Sequence, residues 1–182
     1  MIRLLGFSGR RGSGKDTAAR LIQQLQPQQC WRIRSVGEPI KAVCAALAGE
    51  GTAPYFSQQG KAEKLPAFER TRGEMLQQVG LALRQWEPDI WVQAFFSQLP
   101  TEQHTLIPDV RFPNEADLIR RRGGLMVRVE GDPLHQRGDG TRDDEHLSET
   151  ALDHYPNFDF TIHNSGSLAD LEWQVRQLLG RL

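Results

Sequence analysis

The nine residues Gly9–Thr17, GRRGSGKDT, constrain the fold more than any other part of the chain. They fit G-x-x-x-x-G-K, a pattern common by chance on its own, but here it follows a short apolar run, Ile2 to Phe7, and opens a helical segment running to Leu25. Strand, glycine turn and helix in that order bring several backbone N–H groups and the positive end of a helix onto one anion. The expected ligand is a nucleoside triphosphate. Gly12, Ser13, Gly14, Lys15, Asp16 and Thr17 are expected to bind it, with their N–H groups around the β-phosphate, Lys15 bridging the β- and γ-phosphates and the Thr17 hydroxyl at the α-phosphate. Position 16 departs from the usual Ser or Thr, whose hydroxyl helps hold magnesium. A carboxylate is itself a favoured oxygen ligand for that ion, so Asp16 is expected to serve the metal. ATP and Mg2+ are therefore the expected cofactors.

A strand followed by a phosphate loop implies more strands and helices in alternation. Cys30 to Val36 reads as a second strand, Ile40 to Ala48 as a small-residue helix closed by Gly49, and Gly51 to Gly60 as loop. The chain turns helical again from Phe68, with Leu76, Val79 and Leu83 three and four residues apart. Pro88 stands at the start of a further helix whose Ile90, Trp91, Ala94, Phe95 and Leu99 form an apolar face. Thr105 to Val110 is expected as a strand, Asn114 as the cap of a helix to Arg122, and Leu125 to Val129 and Phe158 to Ile162 as the last strands. Ser167 to Asp170 has a capping-box pattern for the final helix. The fold class is α/β, a central parallel sheet flanked by helices, in one domain spanning 1–182.

Bulk properties exclude several classes. The formal net charge is −1 and charged residues make up 25% of the chain, so neither disorder nor general attraction to nucleic acid is implied. Positive charge is gathered early: Arg3, Arg10, Arg11, Lys15, Arg20, Arg32, Arg34 and Lys41 face only Asp16 and Glu38 in residues 1–41, which suits an anionic ligand. Cys30 and Cys44 lack zinc or redox spacing and read as two buried thiols. No apolar run is long enough to span a bilayer and no secretory signal opens the chain, so a soluble, cytoplasmic protein is expected. Trp31, Trp86 and Trp173 read as packing residues.

GKDT in the loop, RGEMLQQVG, IPDVRFPNEAD, EHLSETAL and FTIHNSGSLADLEWQV together resemble the bacteriophage-type deoxynucleoside monophosphate kinase family, nearly end to end. The resemblance implies a P-loop kinase fold, with ATP phosphorylating a deoxynucleoside 5′-monophosphate in the presence of magnesium. It also implies a homodimer; from the near-zero net charge and the lack of a long apolar run, no stable nucleic-acid partner and no membrane partner are expected. By position it implies that Lys41, Gly80, Trp91, Asp109, Arg111 and Glu115 form the acceptor site, with a helical acceptor region over 50–100. The family's helix arginine falls at Gly73 here, so its neighbour Arg72 takes that acceptor-phosphate role.

Several of these residues suit the chemistry independently. Cations such as Lys41 and Arg111 offset repulsion between acceptor phosphate and ATP. Arg111 is expected with the strand-end acceptor residues, away from the loop. Asp109 need not be a general base, because the attacking oxygen of a monophosphate is already ionised; sugar, base or arginine binding is its expected task. The plainer alternative for Asp109 and Arg111 is an ion pair at a strand end.

The polar segment 131–146 is long for a connection between strands and reads as a lid. Arg137 is expected to touch the nucleotide and Arg142 to stabilise charge on the transferring group. A mobile acidic loop is the alternative there. Two other functions remain open on sequence: a dephospho-coenzyme A kinase or other small-metabolite kinase, and a nucleotide-switched module that holds nucleic acid.

Overall fold

Five residues, Leu4–Ser8, make β1, and its burial from Leu5 onward places it at the centre of a sheet. The computed structural model describes residues 3–135 and 147–182. The chain divides into two compact units, Met1–Ser35 with Pro100–Leu182, and Val36–Leu99.

In the first unit, α1 (Lys15–Leu25), β2 (Arg32–Ile33), β5 (Thr105–Ile107), α6 (Pro113–Arg121), β6 (Leu125–Glu130), α7 (Leu147–Thr150), β7 (Phe160–His163) and α8 (Leu168–Leu179) accompany β1. The five strands lie in the order β2-β5-β1-β6-β7, and every pairing is parallel. Alternation along β1 then divides the core. Leu5 and Phe7 pack with Ala18, Ala19 and Ile22 of α1 and Leu171, Val175 and Leu178 of α8. Gly6 points to the other face, where an added Cβ would lie 3.0 Å from Ile119 of α6 and 2.6 Å from Met126. Glycine there lets that helix approach the sheet closely.

Strand order reverses at β1: the chain goes from β1 out to the edge strand β2, returns later to β5 between them, and then crosses to β6 and β7 on the other side. Such a switch point opens a crevice at the carboxyl ends of the strands. The glycine turn after β1 lies at that crevice.

The second unit contains α2 (Glu38–Ala48), α3 (Gln58–Ala62), the two-stranded β3 (Lys64–Leu65) and β4 (Arg70–Thr71), α4 (Arg72–Trp86) and α5 (Ile90–Ser97). Its small core joins Cys44, Ala45 and Tyr55 to Ile40, Met75, Leu76 and Val79. Gly49 ends α2 at φ 69°, as expected of a left-handed cap.

Several local expectations are corrected. Residues 51–60 are not plain loop, since Ala53–Phe56 forms a 3₁₀ turn and Ser57 caps α3 through the Gly60 N–H. The helix expected from Phe68 begins at Arg72, where Thr71 and Glu74 form a full capping box. Pro113, not Asn114, opens α6: Glu115 reaches back to the Phe112 N–H at 3.2 Å. Trp86 and Trp173 are 77% and 62% exposed, so of the expected packing tryptophans only Trp31 is buried. Cys30 is exposed and only Cys44 is buried. The capping box at Ser167 and Asp170 is present as read.

Candidate active site

Gly12 and Gly14 take φ of 76° and 94°, and Gly14 is the residue from which α1 starts. A side chain at Gly14 would be strained by its dihedral and would meet the Asn164 amide nitrogen at 2.4 Å. That amide donates to the Ser13 carbonyl at 2.9 Å, and the Asn164 N–H donates to Glu130 O at 2.7 Å, so the turn after β7 braces the loop. Gly9 is equally confined, with a notional Cβ 2.1 Å from Val129 O. Backbone therefore closes around the loop from β6 and from beyond β7.

Lys15 curls back over this turn. Its Nζ donates to Gly9 O at 2.7 Å and Arg10 O at 2.8 Å, and the residue is 6% exposed. Burial pushes its pKa down to about 8, helped by the positive charges of Arg111 and Arg128, while Glu149 and Asp16 oppose the shift. Ser13 Oγ is buried with no hydrogen-bond partner among the described residues. The N–H groups of Lys15, Asp16 and Thr17 begin α1 and have no carbonyl within the helix to bond. A cradle closed to any Cβ, an orphaned hydroxyl and a helix start facing one point fit a phosphate group. Asp16 is exposed at the first turn. Among the described residues no group of three or more His, Cys, Asp or Glu is placed to hold a metal ion. A single exposed carboxylate such as Asp16 could hold magnesium together with phosphate oxygens and water.

Arg111 is where the structure departs most from expectation. It does not lie away from the loop. Its Nη1 is 2.6 Å from Glu149 Oε1, and the other Glu149 oxygen accepts from the loop N–H of Arg11 at 3.0 Å. Four residues on, Asp153 accepts from Arg10 at 2.7 Å and from Arg128 at 2.6 Å. Burial disfavours the Asp153 carboxylate, but the two arginines outweigh it and hold its pKa below the usual range. Arg10, Arg128, Val129, Glu130, Gly131 and Asp153 line a cavity of about 300 Å³. Asp109 accepts a hydrogen bond from the Ser35 hydroxyl. Glu115 is 1% exposed and accepts from the N–H groups of Arg111 and Phe112, at 2.8 and 3.2 Å. It fixes the backbone that carries Arg111.

The remaining expected residues belong to the second unit. Trp91 is buried and donates from Nε1 to Gly80 O at 3.0 Å, which joins α5 to α4. Lys41 Nζ stands 4.0 Å over the Phe56 ring. The Arg72 guanidinium grips both oxygens of Glu50 at 2.7 Å and donates to Glu63 and Gly60 O, at 2.9 and 3.1 Å. Those bonds engage most of its donors and push its pKa further above the ordinary arginine range. In this arrangement Arg72 holds together the segments around α3. Arg137 and Arg142 lie outside the described residues, as does most of the expected lid.

Sequence reading missed Glu149, Asp153, Arg128, Arg10 and Asn164. Glu149 and Asp153 stand four residues apart on either side of a turn, a signal available in ETALD. Asn164, before Ser-Gly-Ser, carried no comparable signal.

With this geometry the chain aligns over its whole length with solved P-loop kinases. Shikimate kinase from Bacteroides thetaiotaomicron matches with a TM-score of 0.53 at 15% identity, covering 98% of each chain. Dephospho-CoA kinase from Campylobacter jejuni matches with a TM-score of 0.52 at 15% identity, covering 98% of this chain and 96% of that one. Shikimate kinase from Acinetobacter baumannii, in complex with shikimate, matches with a TM-score of 0.52 at 14% identity, covering 100% and 94%. The fold is that of the P-loop kinases. In sequence, a candidate deoxynucleotide monophosphate kinase of Acanthamoeba polyphaga mimivirus is 28% identical over 191 residues, covering 94% of this chain and 93% of the relative. No protein-family model matches the chain. Among the described residues no helix is long and apolar enough to cross a membrane.

Proposed function

We propose that this protein is an ATP-dependent phosphotransferase acting on a small anionic acceptor, and that the acceptor is a deoxynucleoside 5′-monophosphate. The observation that carries the reading is the meeting of Lys15, inside a glycine cradle, with Arg111 from beyond β5, tied to the same loop through Glu149 and close enough to help push the Lys15 pKa down. Two phosphate-bearing molecules repel as they come in line, and fixed cations offset that repulsion. Lys15 serves the donor. Arg111 serves the charge that builds between donor and acceptor. The acceptor oxygen is already ionised, so Asp109 orients sugar or base and takes no proton. Magnesium, when bound through Asp16 and phosphate oxygens, neutralises charge on the triphosphate.

The general kinase reading has the wider support, since several solved small-molecule kinases share the fold. The deoxynucleotide acceptor rests on the mimivirus relative and on PDVRFPNEA. Dephospho-coenzyme A is the second acceptor considered, because a kinase for it aligns with this chain as fully as the shikimate kinases do. An assay of ADP release with ATP and magnesium, against four deoxynucleoside monophosphates, their ribose counterparts, shikimate and dephospho-coenzyme A, tests both levels. Turnover on a deoxynucleotide at least tenfold above the other acceptors is expected. Turnover confined to another acceptor would remove the deoxynucleotide reading and leave the kinase; no turnover on any would remove both.

A further inference from the structure

Resting on that reading, we propose that Glu149 is a positioning residue, which ties Arg111 to the phosphate loop and turns the open edge of its guanidinium toward a phosphate group. The carboxylate is used at both oxygens. Oε1 takes Arg111 Nη1 at 2.6 Å and Oε2 takes the Arg11 N–H at 3.0 Å, with the Glu149 side chain 11% exposed. One end of the bridge is thus a side chain from the end of β5 and the other is loop backbone. Movement of either displaces the other.

What the bridge leaves unused is as telling. Arg111 Nη1 also donates to Ser148 O at 3.4 Å, whereas Nε and Nη2 have no hydrogen-bond partner among the described residues. Glu149 could have taken a two-point grip, as Glu50 does on Arg72 with both oxygens at 2.7 Å. It takes one corner only. Nε and Nη2 form the other edge of the planar fork, and two parallel N–H groups are what a phosphate accepts most strongly. Below the guanidinium, the Arg111 N–H is held by Glu115 at 2.8 Å, so backbone and tip are both fixed while one edge stays open. A fork held in advance loses little freedom when it binds.

Asp153 repeats the theme one step along. It gathers Arg10 of the loop and Arg128 of β6 on one carboxylate, 18% exposed. The segment from α7 to Asp153 therefore anchors to the loop through two acids, and Glu149 is the one whose arginine keeps an open edge.

The test is a double-mutant cycle on the full chain, with Glu149→Gln, Arg111→Ala and the pair. Thermal unfolding is measured for each. If Glu149 works through Arg111, Glu149→Gln lowers kcat/KM for the acceptor about ten- to hundredfold, the range that misplacement of a site group produces, with the ATP Kd within about threefold of the parent. In the Arg111→Ala background the same change then costs less than about threefold. Glu149→Asp, which keeps the charge on a shorter arm, recovers part of the loss. Parent-like kinetics in Glu149→Gln, or an equal loss in both backgrounds, overturns the proposal. Should the Gln variant fail to fold, the cycle is run with Glu149→Asp under the same criteria. Inorganic phosphate binding, followed by titration in the presence of ADP, needs no turnover. It reads the same cycle if the parent phosphorylates no deoxynucleotide, so failure of the acceptor assignment and failure of the Glu149 assignment are told apart.

Discussion

Lys15→Met separates what the loop lysine does for nucleotide from what it costs the fold. The buried ammonium has a pKa of about 8 against an ordinary lysine value of 10.5, so between those values the unfolded chain binds more protons than the folded one. Stability therefore rises with pH across this window. Charged Lys15 costs folding about 3 kcal/mol at pH 7, and the cost fades as the pH climbs from 8 toward 10.5. Methionine titrates nowhere in the range. The variant also loses two hydrogen bonds to Gly9 O and Arg10 O, but that loss shifts its stability by a similar amount at every pH. The informative quantity is the difference between the two proteins at two pH values, because all other titrating groups largely cancel. Working through the two pKa values, the parent should gain about 2.5 kcal/mol on the variant between pH 7 and pH 10. Urea unfolding at both pH values, without nucleotide or magnesium, measures it. ADP release by the variant should fall at least a hundredfold. A stability difference that stays constant with pH would refute the burial argument, whatever happened to activity.

Asp16→Asn keeps size and one oxygen ligand while removing charge, so it should bind metal-free ATP at least as well as the parent yet need more magnesium for its half-maximal rate; a magnesium titration of initial rates decides. Arg111→Ala should lose tenfold or more in acceptor use while its ATP Kd at pH 7 changes less than about threefold, as read by calorimetry. At pH 9 it should hold ATP better relative to the parent than at pH 7, since removing that charge lets Lys15 keep its proton. Gly9→Ala would set a methyl 2.1 Å from Val129 O, so loop or strand must move; a loss of about 1–3 kcal/mol in chemical denaturation is expected, with weaker ATP binding.

The parts of the fold legible in sequence were those where one local signal suffices. The glycine loop, the Gly49 cap and the Ser167 capping box each depend on residues within a turn of one another. So does the short apolar run that becomes β1. Residues 51–71 resisted reading because 3₁₀ turn, short helix and hairpin are held by contacts far apart in sequence, Arg72 on Glu50 above all. The candidate site divides in the same way. Lys15 and its cradle follow from the loop, whereas the place of Arg111 depends on Glu149, 38 residues away in sequence. No spacing rule encodes that distance. Trp86 and Trp173 misled because an aromatic residue in an amphipathic helix reads as buried until the helix's neighbours are known.

The strands β2 and β5 are hydrogen-bonded neighbours, paired through Arg32 with Thr105 and Ile33 with Leu106, yet the whole of Val36–Leu99 intervenes between them in the chain. The sheet treats that stretch as one long excursion with a single departure and a single return. Lengthening such an excursion is cheap: doubling a flexible connection costs only about 0.6 kcal/mol in closure entropy. Insertions, deletions and exchange by recombination can therefore rework everything the second unit contributes without touching a strand register or the phosphate loop. A chain so arranged can vary one stretch of its gene while the sheet and the glycine loop stay as they are.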